Sequence, residues 1–262
     1  MKIKILASGS KGNSSIIITD NLKILVDVGI SKKKLSEKLA NMSIDLQDID
    51  AIFITHEHSD HIAGLYTIMK NYNIPIYLTK GTFEFVKNVM INKNIKYDNF
   101  IIISSGFEYI LKDLKIVPFL VIHDAIEPVN YVFYYKDKKI AIVTDLGAFY
   151  NTKENNYKKW LLNLDFLALE SNYDENVLLV SSYPFSLKKR IMSEKGHLSN
   201  EQAAKLLKSI INPKLKNVCL IHLSDENNNE LLARETIRAL LLDLNFNLYP
   251  ILQGMESKLI EV

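Results

Sequence analysis

The run Ile52-Phe53-Ile54-Thr55-His56-Glu57-His58-Ser59-Asp60-His61 carries the reading of this chain. Residues 56–61 hold three histidines and an aspartate in an H-x-H-x-D-H pattern. With residues treated as independent at this composition, chance produces the pattern on the order of once in several thousand chains. Neutral imidazole and carboxylate are ligands that suit Zn²⁺, Mn²⁺ or Fe²⁺. Ahead of the cluster, Ile52-Phe53-Ile54 is of strand type, and behind it Ile62, Leu65, Ile68 and Met69 recur at helical spacing. The cluster therefore falls where a buried strand hands over to a helix. There α/β proteins expose side chains on a loop that a strand holds still. A polar turn with coincidental histidines is the plainer alternative, and the density of ligand types argues against it.

The chain around this motif has 262 residues, 48% hydrophobic and 24% charged, which suits a globular domain with a large core. One domain over 1–262 is expected. A net charge of +2 does not demand a nucleic-acid partner, and it leaves room for a local basic patch. Cys219 is the single cysteine, so no intrachain disulfide can form and a reducing compartment is the default. The apolar stretch at the N-terminus is too short for a signal peptide, and no run approaches a membrane span. A cytoplasmic protein with no membrane partner is the expectation.

Upstream of the motif, residues 2–7 alternate as a strand, 15–19 and 23–28 form a hairpin about Asp20-Asn21, and 32–41 reads as a helix. Between them, Ser8-Gly9-Ser10-Lys11-Gly12-Asn13-Ser14 is a turn cluster. It lacks the G-x-x-x-x-G-K-[ST] spacing of a phosphate loop and no helix follows, so a tight turn near the site is expected. Downstream, 60–71, 80–92, 153–162, 199–211 and 230–243 read as helices, with a capping-box pattern from Ser199 to Gln202. Strand-like runs cover 51–54, 75–78, 100–103, 108–111, 114–122, 131–135, 139–144, 165–170 and 217–221, and two short strands close the chain. Strand-rich and helical stretches alternate in two similar halves. A sandwich of two sheets flanked by helices is the natural way to bury them.

Other metal-binding residue types share the strand-end position. His123, Asp145 in Thr144-Asp145-Leu146-Gly147, and His222 each end a strand or directly follow one, and with the motif they use five of the six histidines. Asp27 also ends a strand, as a polar group under the site or as a plain turn former. Cys219 has the strand parity opposite to His222 and reads as core, not as a ligand. Residues 171–196 interleave Tyr173 and Tyr183 with Lys188, Lys189, Arg190 and Lys195. That composition suits a single nucleic-acid strand and equally an ordinary solvated face.

In this order the ligand motifs resemble those of the metallo-β-lactamase superfamily over essentially the whole chain. Leu6-Ala7-Ser8-Gly9-Ser10-Lys11-Gly12-Asn13-Ser14, His123-Asp124-Ala125-x-Glu127-Pro128, Glu170-Ser171-Asn172-Tyr173, Gly196-His197-Leu198-Ser199-Asn200 and His222-Leu223-Ser224-x-Glu226-Asn227-Asn228 resemble its YycJ/WalJ branch. The resemblance implies an α/β, four-layer αββα sandwich with metals at one edge of the two sheets. It implies one ion on His56, His58 and His123, a second on Asp60, His61 and His222, and Asp145 bridging them. The ligand pattern shows no departure. It also implies a metal-dependent 5′–3′ exonuclease acting on DNA, in a branch linked with an operon for cell-wall regulation.

Two such ions, Zn²⁺ or Mn²⁺ with Fe²⁺ also open, can share a nucleophilic hydroxide and clamp a phosphoryl oxygen. Asp60 is expected to ligate and to orient that nucleophile, which makes it catalytic. His197 lies beside a predicted helix N-terminus and is expected to contact a substrate phosphate or to protonate the leaving oxygen. Ser199, Asn227 and Asn228 are candidate substrate contacts, with helix capping as the plainer role. Asp27 and Glu170 are candidates, by position, to accept the outer N–H of a ligating histidine. Two other functions stay open: a small-molecule metallo-hydrolase (cyclic phosphodiesterase, lactonase or thioesterase) and a binding module without turnover. A serine or cysteine hydrolase has no support, since G-x-S-x-G is absent.

Overall fold

The computed structural model describes residues 1–147, 157–241 and 245–262. One sheet contains β1 (Lys2–Ala7), β2 (Ser14–Ile18), β3 (Lys23–Val26), β4 (Ala51–Phe53), β5 (Ile76–Thr79) and β6 (Phe100–Ile103), with the last strand, β14 (Ile260–Glu261), on the outer side of β1. The other runs β7 (Tyr109–Leu111), β8 (Leu114–Leu120), β9 (Val129–Tyr135), β10 (Lys138–Val143), β11 (Phe166–Glu170), β12 (Asn217–Ile221) and β13 (Asn247–Pro250) in spatial as well as chain order. Each sheet is antiparallel in one half and parallel in the other. β3 to β6 pair in parallel, and so do β10 to β13. The parallel halves put the carboxyl ends of β3, β4, β10, β11 and β12 at the edge where open α/β sheets carry their sites.

Residue parity builds the layers. Ile24, Val26, Phe53, Tyr131, Phe133, Ile140, Ile142, Phe166, Ala168, Cys219 and Ile221 fill the space between the sheets. Their neighbours of opposite parity pack outward against helices. Leu25 and Ile52 meet Leu35 and Leu39 of α1 (Lys32–Ala40), and Val86 and Met90 of α4 (Lys80–Asn92). Ala141, Leu167, Val218 and Leu220 meet α7 (Asn200–Ile210) and α8 (Glu230–Leu241). The order helix, sheet, sheet, helix is the four-layer sandwich expected from the sequence. Cys219 is buried between the sheets, where burial pushes its thiol up to about 12. Among the described residues, no helix is long and apolar enough to cross a membrane.

Two helices differ from their sequence reading. The stretch 60–71 is not one helix but α2 (Ser59–Ile62) followed by α3 (Leu65–Met69). The helical bond from Gly64 N to Asp60 O is lost because each partner is taken from outside: Asn13 N donates to Asp60 O (2.7 Å), and Gly64 N donates to Val28 O (2.8 Å). The packing there is close enough that a Cβ on Gly29 would lie 1.6 Å from Asp60 O. Of the helix read over 153–162, residues 153–156 lie outside the described residues, and Tyr157–Leu161 is a 3-10 turn. In the basic segment the chain forms two short helices, α5 (Glu175–Val180) and α6 (Phe185–Ile191).

Candidate metal centre

Seven side chains converge at the shared edge, each from a strand end or the turn after it. His56 follows β4, His58 caps α2, and Asp60 and His61 lie on its first turn. His123 follows β8, Asp145 follows β10 and His222 follows β12. Three strand ends turn through the left-handed region: Asp27 (φ 58°), Asp145 (φ 51°) and His222 (φ 57°). Asp and His tolerate that region better than most residues. The sharp turn lets a side chain leave the strand axis and point along the sheet edge.

Ligand atoms of His56, His58 and His123 lie within 4.8 Å of one another, and so do those of Asp60, His61 and His222. Asp145 stands between the two groups. Its Oδ2 is 3.0 Å from His61 Nε2, and its Oδ1 is 3.7 Å from His123 Nε2 and 3.6 Å from His222 Nε2. The hydrogen bonds behind the rings favour lone pairs facing inward. His61 Nδ1 lies 2.7 Å from Asp27 Oδ2, and a carboxylate only accepts, so Nδ1 carries the proton. Thr55 Oγ1 donates to the same Asp27 oxygen (2.9 Å), which leaves it to accept from His56 Nδ1 (3.0 Å). His56 Nε2 then faces the centre bare, buried and without a hydrogen-bond partner among the described residues. A buried polar atom without a partner is costly in an apolar setting and natural against a cation. The donor set thus fits divalent metal.

Charge in the metal-free cluster is strongly perturbed. Burial opposes a proton on His61 and on His222, yet the carboxylates of Asp27, Asp145 and Asp60 hold His61 well above the usual imidazole range, and those of Asp145, Asp60 and Glu170 do the same for His222. Burial also opposes ionisation of Asp60, but His61 and His222 outweigh it and keep its carboxyl well below the usual range. His56 is pushed far down, by burial first and by His61 second. Metal must therefore displace protons from the Nε2 atoms of His61 and His222. Loading at neutral pH should release protons, and affinity should rise with pH until the raised imidazole values are passed. Titration calorimetry in two buffers of different ionisation enthalpy measures the release; a buffer-independent heat would contradict it.

Asp27 is both a turn former and a support beneath the site, since its two oxygens take Thr55 N (2.8 Å), Thr55 Oγ1 and His61 Nδ1. Asp27→Asn should weaken metal binding by about 10–100-fold with little change in fold, read from competition with a chelator. Glu170, at the end of β11, is fully buried. Its Oε1 accepts from His197 Nδ1 (2.6 Å), and its Oε2 accepts from Leu146 N (2.7 Å), beside Asp145. His197 Nε2 makes no hydrogen bond to a described residue, and the ring stacks on His222 with centroids 5.1 Å apart.

Three expected substrate contacts are placed otherwise. Ser199 is fully buried, accepts from Gln202 N (3.2 Å) in the capping box and donates to Glu175 Oε1 (3.0 Å). Asn228 is buried and exchanges amide bonds with Asn200, at 2.9 and 3.0 Å. Asn227 is buried too, with Ser224 Oγ 3.4 Å from its Nδ2. Ser199 caps α7, and Asn228 accepts from Asn229 N and donates to Ser171 O, so both brace the loops of His197 and His222; Asn227 Oδ1 is buried with no hydrogen-bond partner among the described residues.

Other residues touch the cluster without having been assigned a role. Asn13 Nδ2 donates to Asp60 Oδ2 (3.2 Å), Asn172 Nδ2 donates to the His222 carbonyl (2.7 Å), and Ser8 Oγ accepts from His222 N (2.6 Å). The turn cluster 8–14 is thus at the site. Glu57, inside the motif, points away and accepts from Ile126 N (2.7 Å), steadying the loop after His123. The tight turn expected near the site and the branch-like segments around Asn13 and Asn172 pointed to these contacts.

A two-sheet sandwich with imidazoles and carboxylates gathered at one edge defines a class of metal-centred fold. A sequence profile described as Beta-lactamase superfamily domain matches residues 23–223, and the chain belongs to that superfamily. The His and Asp cluster could hold divalent metal, as membership of that superfamily implies. The chain is 35% identical over 246 residues to Exodeoxyribonuclease YycJ of Bacillus anthracis, covering 94% of this chain and 91% of that protein. It is 37% identical over 236 residues to Exodeoxyribonuclease WalJ of Streptococcus pneumoniae, covering 90% and 86%. Among solved structures, the metallo-beta-lactamase fold protein YhfI from Bacillus subtilis superposes with a TM-score of 0.72 at 15% identity over 98% of both chains, a likeness of fold.

Proposed function

We propose that this protein is a dinuclear metal-dependent phosphodiester hydrolase that degrades DNA from the 5′ end. The observation that carries the reading is the pair of three-residue groups on either side of Asp145, with the His197–Glu170 pair beside them. The near-full-length likeness to two proteins named exodeoxyribonucleases supports DNA as the substrate. In this reading His56, His58 and His123 would hold one ion and Asp60, His61 and His222 the other, with Asp145 available to both. Zn²⁺ and Mn²⁺ both suit mixed nitrogen and oxygen ligation, and Fe²⁺ remains compatible. Residues 1–262 act as one domain, in keeping with the pairing of β14 on β1. A cytoplasmic location belongs to this reading, and a single cysteine suits a reducing compartment.

When bound, the ions activate water at neutral pH and offset the charge that builds on the phosphoryl oxygens. The side chains do the rest. Asp60 uses Oδ2 toward His61 and His222 (3.5 and 3.4 Å) and keeps Oδ1 to accept a hydrogen bond from the attacking water and so orient it. His197, held by Glu170 through Nδ1, presents Nε2 to the departing sugar oxygen and gives it a proton. The Glu170 carboxylate stabilises the imidazolium that this requires.

The test is metal-loaded protein, with Mn²⁺ and then Zn²⁺, on end-labelled linear DNA beside bis-p-nitrophenyl phosphate. Shortening of the DNA from its 5′ end is the expected result. Cleavage of the small ester with intact DNA would move the substrate to small phosphodiesters. Hydrolysis of neither would overturn phosphodiester chemistry.

A further inference from the structure

The helix α6 is built onto the loops of the metal cluster. After it, the carbonyl of Gly196 lies 3.2 Å from His123 Nδ1, and His197 N donates to Ile191 O (3.0 Å). Gly147, two residues past Asp145, is pressed so closely on this turn that a Cβ there would lie 2.1 Å from Glu194 O. The basic side chains of the helix therefore have fixed positions relative to the cluster. Lys188 is committed to the fold: its Nζ donates to Leu179 O and Ser181 O, both at 2.7 Å, and ties α6 to α5.

Arg190 is differently placed. Its Nε donates to Asp124 Oδ2 at 2.7 Å. Asp124 follows His123 in the chain, and its Oδ1 is 3.3 Å from His123 Nε2, the atom that faces the cluster. The Nη groups of Arg190 make no hydrogen bond to a described residue, and the side chain is 56% exposed. One edge of the guanidinium is anchored on Asp124 Oδ2, and the other is open. A planar fork held by a carboxylate is pre-oriented for two parallel bonds to phosphate oxygens.

We propose that Arg190, oriented by Asp124, binds the phosphate next to the scissile one in a DNA strand. This rests on the nuclease reading. The scissile phosphoryl belongs against the seven clustered ligands; Arg190 stands one side chain further out, where the neighbouring phosphate of the same strand passes. The residue thereby favours substrates with consecutive phosphates over those with a single one.

The test compares a dinucleotide, which holds only the scissile phosphate, with a trinucleotide, which supplies a neighbour. The preference for the trinucleotide in kcat/KM should fall by about 10–100-fold in Arg190→Ala, mainly through KM, the scale of a lost hydrogen bond to a charged group. Arg190→Lys should recover little of it, because a point charge lacks the fork. Independently of turnover, anisotropy of a labelled single-stranded oligonucleotide without divalent metal should show a weaker salt dependence in Arg190→Ala, its log–log slope reduced by about 0.7. An unchanged substrate preference with an unchanged slope would overturn the proposal. So would an equal loss on both substrates, which marks a structural role for the Asp124 pair. If the wild-type protein cleaves neither nucleotide, Arg190 is judged on the anisotropy slope alone, and the nuclease reading fails only if end-labelled linear DNA is also left intact.

Discussion

Asp60→Ala is expected to lower turnover by on the order of 10³-fold or more while leaving the sandwich folded. The carboxylate is the one member of its group that keeps an oxygen free for water, and its removal takes away a metal ligand and the orienting acceptor together. The side chain is 18% exposed at the site, so truncation opens no core cavity. Circular dichroism of the variant should match the wild type, metal analysis should show loss of metal, and the melting temperature should fall only as far as the lost metal and the Asp60 contacts account for. His61→Ala should remove turnover as well, but with a stability cost. It leaves a buried Asp27 oxygen short of a donor, and an unmade bond to a buried charged group costs about 1–3 kcal/mol or more. Wild-type rates in either variant would sink the assignment.

The second large effect is expected at His197. His197→Ala should slow DNA cleavage by about 10²–10⁴-fold, the range for a lost general acid, with full metal content retained. Bis-p-nitrophenyl phosphate should suffer much less, since its nitrophenolate departs without a proton. Glu170→Gln should act in the same direction, with lower stability, because Glu170 also receives Leu146 N. The measurement that discriminates is metal content beside rates on both substrates. Asp145, Glu170, His197 and His222 also have ligand atoms within 4.8 Å of one another. Loss of metal in His197→Ala would therefore make His197 a ligand and withdraw its role as an acid.

Much of the molecule could be read from local pattern. The strands at 2–7, 100–103 and 217–221 and the helix at 80–92 lie where periodicity put them. Strand parity sent Cys219 to the core between the sheets, and the Ser199–Gln202 box caps α7. The H-x-H-x-D-H cluster stands at a strand-to-helix junction. These features depend on residues one to four apart, and their side-chain chemistry is visible in one dimension.

Tertiary structure decided the rest, because its partners lie far apart in the chain. Nothing near Asp60 announces that Asn13 will take its carbonyl and break the helix, or that Val28 will take Gly64 N. Asp27 could be a mere turn residue until the fold sets it 2.7 Å from His61, and Asp124 a mere loop residue until α6 brings Arg190 to it. Ser199 and Asn228 have the chemistry of phosphate ligands, yet burial turns their polar atoms into the protein. Residue type and local pattern alone assign metal chemistry to the clustered histidines and aspartates and set them at the ends of strands. Packing of the two sheets, and the left-handed turns at Asp27, Asp145 and His222, decided which atoms meet. Hydrogen bonds from distant loops compete with local ones, and only the assembled structure shows which prevail.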